Sequence, residues 1–216
     1  RAAQRADARS ERQKLYQMTS WQTLPESIMV DGTEIPINAD FRASAAFEEL
    51  MQDPTRTNEQ RVAEMLELYF TSQTMPMLQT LVLEGKAPAL FEAILWFYRC
   101  GKAPKEDHVA SKNEPRPYSF AADEQRIYAS FREQYALDLY DVPFLHWWKF
   151  SSMFAALGEN TEMARVMHIR TAKFENGMSA KDRAALRRAK RAYALPDLRT
   201  DAQRDDDFAA AFASAF

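Results

Sequence analysis

Glycine and cysteine are both scarce in this chain. Five Gly among 216 residues is few for a turn-rich β protein, because tight turns draw on glycine's access to positive φ. Cys100 is the single cysteine, so no intrachain disulfide can form and a multi-cysteine zinc site is excluded. Such usage fits a reducing setting. No apolar run approaches the roughly 18 residues that span a bilayer, and residues 1–20 lack a hydrophobic signal-peptide core. No membrane partner is expected, and the expected location is the cytoplasm of the cell that makes the protein. The formal charge of -3 is close to neutral, so the total predicts no nucleic-acid or anionic-surface partner; either would have to be met by a local patch.

Signatures of catalysis are missing as well. There is no Gly-rich phosphate loop, no Gly-x-Ser-x-Gly elbow and no tight acidic cluster on a credible scaffold. His108, His146 and His168 are scattered, and none has the i, i+4 spacing of a helical metal pair. Cys100 reads either as a small apolar filler at the end of an apolar helix or as a nucleophile paired with a distant histidine. The chain is therefore expected to be no enzyme, with no catalytic residue, metal or cofactor.

What is abundant points to helices: Ala, Glu, Gln, Arg, Met and Leu, the good helix formers. The expected fold is mainly α, a multi-helix domain over residues 21–198 with one β-hairpin near 27–37 and helical or disordered terminal extensions. Residues 1–20 form a basic leader whose Arg1, Arg5 and Arg9 would share a helix face; it reads as a frayed extension or as an arm for an acidic partner. Ser27-Ile28-Met29-Val30 and Thr33-Glu34-Ile35-Pro36-Ile37 flank Asp31-Gly32, a strong hairpin signal because a type I′ turn needs positive φ at both central residues. Pro36 makes the second strand an edge.

Helical spacing follows. Asp40 can cap a helix carrying Ala43, Phe47, Leu50 and Met51. Thr57 and Gln60 make a capping box before Val62, Met65, Leu66, Tyr69 and Phe70, the clearest amphipathic segment. A short helix over Pro76–Leu83 stops at Gly85, and another over Ala89–Cys100 stops at Gly101. The latter has almost no polar face, which demands burial, with Trp96 and Phe97 as candidate core. Residues 101–117, rich in Pro and charge, read as a loop. Ser119 can cap a helix with Ile127, Tyr128, Phe131 and Tyr135 inward, Phe131 being candidate core.

The densest aromatic stretch is Phe144-Leu145-His146-Trp147-Trp148-Lys149-Phe150, where four aromatics fall within seven residues. A helix begun at Asp141 and Pro143 would group Trp148, Phe144 and Phe154, leave Phe150 pointing elsewhere, and set His146, Lys149 and Ser152 along a polar edge. Trp148 and Phe154 are thus candidate core, and Trp147, His146 and Lys149 candidate interface. A helix with Met163, Val166 and Met167 comes next, then one capped by Ser179 with Leu186 and Tyr193 inward. The basic face from Lys181 to Arg191 is a solvated surface, a seat for an acidic protein or a nucleic-acid contact; nucleic acid is the weakest of these, since Asp182 and an acidic tail share the region and few stacking aromatics are interleaved. In the tail, residues 199–216, four Asp precede Phe208, Phe212 and Phe216 at intervals of four. In a helix these three form a stripe that a soluble monomer would not expose, so they join the candidate interface.

Several stretches together resemble a known family. Leu24-Pro25, the Asp31-Gly32 hairpin, Pro36-Ile37-Asn38-Ala39-Asp40-Phe41-Arg42, Leu95-Trp96-Phe97-Tyr98-Arg99-Cys100-Gly101-Lys102, Tyr118-Ser119-Phe120, Ile127-Tyr128, Leu145-His146-Trp147-Trp148-Lys149-Phe150 and Tyr193-Ala194-Leu195-Pro196-Asp197 occur in this order. The ordered set, over roughly residues 22–198, resembles the bacteriophage gene-product-fifteen family of phages and prophages of Gram-positive bacteria. The resemblance implies a tail-morphogenesis protein of a long, non-contractile-tailed phage, encoded beside the tape-measure gene. It implies a tail assembly chaperone that self-associates as a homo-oligomer, binds the tape measure protein and tail-tube subunits, and is absent from the virion. The alternative is a permanent component of the tail or connector. The resemblance supplies no catalytic residues. The basic leader and Phe-striped end depart from the family pattern.

Overall fold

The computed structural model describes residues 23–103 and 115–197. Among these residues there are eight helices and one antiparallel hairpin, the mainly helical architecture that the composition predicts. The hairpin joins β1 (Ser27–Val30) to β2 (Thr33–Pro36) in the register Ser27↔Pro36, Ile28↔Ile35, Met29↔Glu34 and Val30↔Thr33. Asp31 and Gly32 take φ of 47° and 82°, the left-handed pair that a two-residue turn demands. Ile28, Val30 and Ile35 point into the protein while Met29 stays exposed, as the two-residue period of a strand dictates.

The helices follow as α1 (Phe41–Gln52), α2 (Asn58–Tyr69), α3 (Met75–Leu83), α4 (Ala87–Tyr98), α5 (Glu124–Tyr135), α6 (Trp147–Ala155), α7 (Glu162–Thr171) and α8 (Ala180–Ala192). Asp40 caps α1 by accepting from the Arg42 amide, and Thr57 with Gln60 closes the reciprocal capping box of α2. Pro76 and Pro88 lie in the first turns of α3 and α4, where their missing amides cost nothing. α1 packs on α2 and α6, α4 on β1 and α3, α5 on α7, and α7 on α8. Almost all buried apolar residues form one continuous cluster.

Local expectations fail in four places. Of the residues expected on the inner face of α2, Val62 is half exposed while Met65, Tyr69 and Phe70, in the last turns and at the C-cap, are buried. Ser119 caps a turn ahead of α5 rather than the helix itself, with its Oγ accepting from the Ala122 amide, and Asp123 occupies the N-cap with its carboxylate turned elsewhere. α8 buries no residue fully, Leu186 and Tyr193 included. The aromatic helix starts at Trp147, four residues later than Pro143 suggests, and its N-cap is His146.

That later start resets the helical wheel. Phe144 lies outside the helix and is half exposed. The inner face of α6 is Trp147, Phe150 and Phe154, at i, i+3 and i+7. Phe150 is 1% exposed and is the hub of the core: its ring stacks on Phe41 at 4.5 Å, Phe131 at 5.0 Å and Trp147 at 5.8 Å.

Candidate functional site

Three of the stretches that carry the family resemblance, around Asp40, Phe97 and His146, meet in one place. The chain around Asp40 pairs with the chain around His146: the Phe41 amide donates to Leu145 O and the Trp147 amide to Ala39 O, each at 2.8 Å. The Asp40 carboxylate also accepts from the Leu145 amide. Arg42 is held by Asp40 and donates to Leu139 O and Val142 O. Asn38 donates through Nδ2 to Leu68 O and through its amide to Tyr69 O, at the end of α2.

Both indoles of α6 have a structural task. Trp147 Nε1 donates to Tyr98 O at 2.7 Å and Trp148 Nε1 to Phe97 O at 2.8 Å. These are last-turn carbonyls of α4, beyond the reach of the regular helical ladder; Phe97 O accepts from the Cys100 amide as well. The helix itself ends with Cys100 at φ 56° and Gly101 at φ 75°, and the Gly101 amide closes back on Trp96 O, a Schellman-type end. Cys100 is half-buried, and burial raises its thiol pKa, which fits a filler better than a nucleophile.

His146 is buried, 3% exposed. Its Nδ1 accepts from the Trp148 amide at 3.0 Å, so the ring proton sits on Nε2, which donates to Pro25 O at 2.9 Å. Burial lowers the imidazole pKa, against a smaller opposing effect of the Pro25 carbonyl. Glu48 moves the other way: burial raises its pKa, partly offset by hydrogen bonds from the Tyr98 and Tyr118 hydroxyls.

The expected order of the two tryptophans is reversed. Trp147 is 4% exposed and stacks on Tyr98, whereas Trp148 is only partly buried. In the chain as it stands neither Trp147 nor His146 offers an interface, because the indole and imidazole nitrogens are spent on backbone groups. Lys149 is exposed and, with Phe144, lines a cleft of about 870 Å3 beside Pro25 and Pro36. Phe97, Phe131 and Phe154 are buried and Trp96 is partly so. Phe208, Phe212 and Phe216 lie outside the described residues.

An ion pair that no local spacing announces closes the other end. Arg170 Nη1 and Nη2 reach Asp123 Oδ2 and Oδ1 at 2.5 and 2.9 Å, with both residues nearly solvent-free. Burial alone would raise the Asp123 pKa, but the Arg170 hydrogen bonds, the Ser119 amide and Arg126 outweigh it and hold the carboxyl low. Arg170 also donates to Pro117 O and Tyr193 O. Arg126 lies over the Tyr193 ring at 5.8 Å.

A strongly apolar groove of about 460 Å3 lies between α1, α5 and the segment 137–142. Phe41, Phe120, Ile127, Leu139 and Phe150 floor it. Ala45, Ala46 and Ala121 form low walls, and Tyr128 and Tyr140 also line it, their rings 4.7 Å apart and tilted by 34°. Its volume is in the usual range for ligand sites, and small wall residues permit a second backbone to approach closely. Sequence reasoning missed it, because its floor is made of core residues from four separate segments. The exposed Tyr140 was the only local hint.

Among the described residues no group of acidic, His and Cys side chains could hold a metal ion, and no helix is long and apolar enough to cross a membrane. No curated protein and no solved structure matches the chain. Its sequence does match the family described as "Bacteriophage Gp15 protein" over residues 21–195, from before the hairpin to beyond α8. That match takes in every motif of the network around α6, and the chain belongs to the bacteriophage Gp15 protein family.

Proposed function

We propose that this phage protein is a tail assembly chaperone that binds the tape measure protein and self-associates while the tail tube is built. The family is not a known enzyme family, and the described residues supply no catalytic constellation. The observation that carries the reading is the groove between α1 and α5, an apolar trough with alanine walls. It suits the apolar face of a long helical client, recognised through residues at i, i+3 or i+4. A chaperone must release its client, so a shallow trough suits the task better than a deep pocket.

The test is co-expression of the full chain with the tape measure protein. Co-purification is expected, with at least a tenfold loss for Ala46→Glu, which puts a charge on the exposed groove wall. Failure to co-purify would overturn the reading. Mass spectrometry of purified virions is expected to find the protein absent. Stoichiometric presence there would make it a permanent tail component instead.

A further inference from the structure

The groove between α1 and α5 is apolar along its floor and acidic around its rim. We infer that it takes a basic amphipathic helix of a partner protein, one whose apolar stripe is flanked by Lys or Arg. This rests on the groove as the client's seat and names the charge that the seat selects; it does not depend on which protein carries the helix.

Three observations lead there. First, the groove has neighbours. A hollow of about 700 Å3 shares Ala46, Glu49 and Ala121 with it and reaches Glu64 and Glu67 of α2. Another, of about 580 Å3, shares Ala121 and Glu124 with it and reaches Glu162 of α7. A helix about 10–12 Å across, seated on the apolar floor, brings its flanking side chains to these hollows.

Second, the charge of the rim is unbalanced. The groove and the two hollows are lined by six carboxylates and three arginines, and by no lysine. Each arginine is already engaged: Arg42 by Asp40, Arg56 by Asp53 and Glu64, and Arg126 by Asp123 and Glu162. Glu49 meets Arg116 at 3.6 Å. Glu67 and Glu124 are exposed, and neither belongs to an ion pair among the described residues.

Third, the chain's own basic helix has the wrong shape for the seat. α8 of a second copy would bring Arg183, Arg187, Arg188 and Arg191, but its larger apolar residue Leu186 and its C-cap Tyr193 are half-buried on their own chain. The face left outside offers alanine as its only apolar residue, too small to cover a floor of Phe, Ile and Leu. A separate partner must therefore supply the stripe. The floor then provides affinity, and the acidic rim speeds encounter with a basic helix and turns away an acidic one.

The probes are two fluorescein-labelled peptides of about 18 residues, long enough for an Ala-rich sequence to be helical. Both carry the same Leu stripe, flanked by Lys in one and by Glu in the other. Anisotropy against the full chain at about 50 mM salt is expected to show the Lys peptide binding at least tenfold more tightly, with the ratio falling to about two at about 500 mM. Glu67→Gln with Glu124→Gln is expected to weaken the Lys peptide about fivefold with the circular-dichroism melt unchanged. Ala46→Glu adds a negative charge to the groove wall, which would strengthen attraction to surface charge alone; binding is expected to be lost instead. Equal affinity for the two peptides, binding of neither, no response to the double neutralisation, or Lys-peptide binding that survives Ala46→Glu would overturn the proposal. So would a dimer in light scattering that Ala46→Glu converts to monomer, which would give the groove to a second copy. The tape measure protein enters none of these readouts. Loss of the charge preference with co-purification intact sinks this proposal alone, and charge-selective peptide binding without co-purification sinks the chaperone reading alone.

Discussion

Both ring nitrogens of His146 are committed to the fold, one accepting at the N-terminus of α6 and the other donating to Pro25. Protonating Nδ1 would destroy the acceptor and put a positive charge where the helix dipole disfavours it. The folded-state pKa lies below the unfolded value of about 6.5. The unfolded chain therefore takes up the proton first: the stabilisation is complete above about pH 6.5 and is lost as pH falls toward the depressed folded-state pKa. His146→Asn keeps a capping acceptor without titrating in this range. Its urea midpoint is expected to fall less than that of the wild type between about pH 6.5 and 5; parallel curves would remove the imidazole from this role. Trp147 belongs to the same scale. Its burial and its bond to Tyr98 O predict that Trp147→Ala costs about 3–5 kcal/mol in chemical denaturation. A loss below about 1 kcal/mol would mean the indole is not the keystone its contacts suggest.

Among the elements, the Asp123–Arg170 pair joins the start of α5 to α7 and, through Pro117 O and Tyr193 O, to the chain before α5 and after α8. Removing one partner of a buried pair strands the other, at about 3–5 kcal/mol. Asp123→Asn is expected to lose about that much. The double change Asp123→Asn with Arg170→Met should fall well short of the sum of the single losses. Strict additivity in urea titrations would show that the two groups do not depend on each other. This tie also shows where the sequence stops being legible. Caps such as Asp40 and Thr57, and the Asp31-Gly32 turn, act within four residues and could be read directly. The Asp123–Arg170 contact spans 47 positions and leaves no periodic trace. The wheel of α6 was misread for a related reason: Pro143 is a plausible helix start by local chemistry, but pairing between Asp40 and His146 holds residues before Trp147 extended. Phe150 thereby moved from the flank to the centre, and Trp147 exchanged places with Trp148. The groove could not be anticipated at all, since it is a gap between α1 and α5 rather than a property of either.

For the whole molecule, one apolar cluster runs from the hairpin to α7, and the aromatic rings that report on it are contributed by both halves of the chain. Loss of tertiary and secondary structure should therefore coincide. Near-ultraviolet and far-ultraviolet circular dichroism are expected to give the same midpoint on heating; two separated transitions would divide the chain into independent units. α8, which buries nothing fully, is expected to exchange its amide hydrogens before the cluster does. The carbonyls at the end of α4 bring time into the account. Their indole partners stand 49 and 51 positions later in the chain, and the partner of Asp40 at Leu145 stands 105 positions later. At about 5–20 residues per second, a ribosome that has finished α4 takes roughly 2–10 s more to deliver Trp147. Throughout that interval the hairpin and the first four helices have emerged, or are emerging, with their shared apolar side uncovered. The N-terminal half of this phage protein thus passes through its own synthesis with an apolar side in want of cover, which only the second half of the same chain supplies.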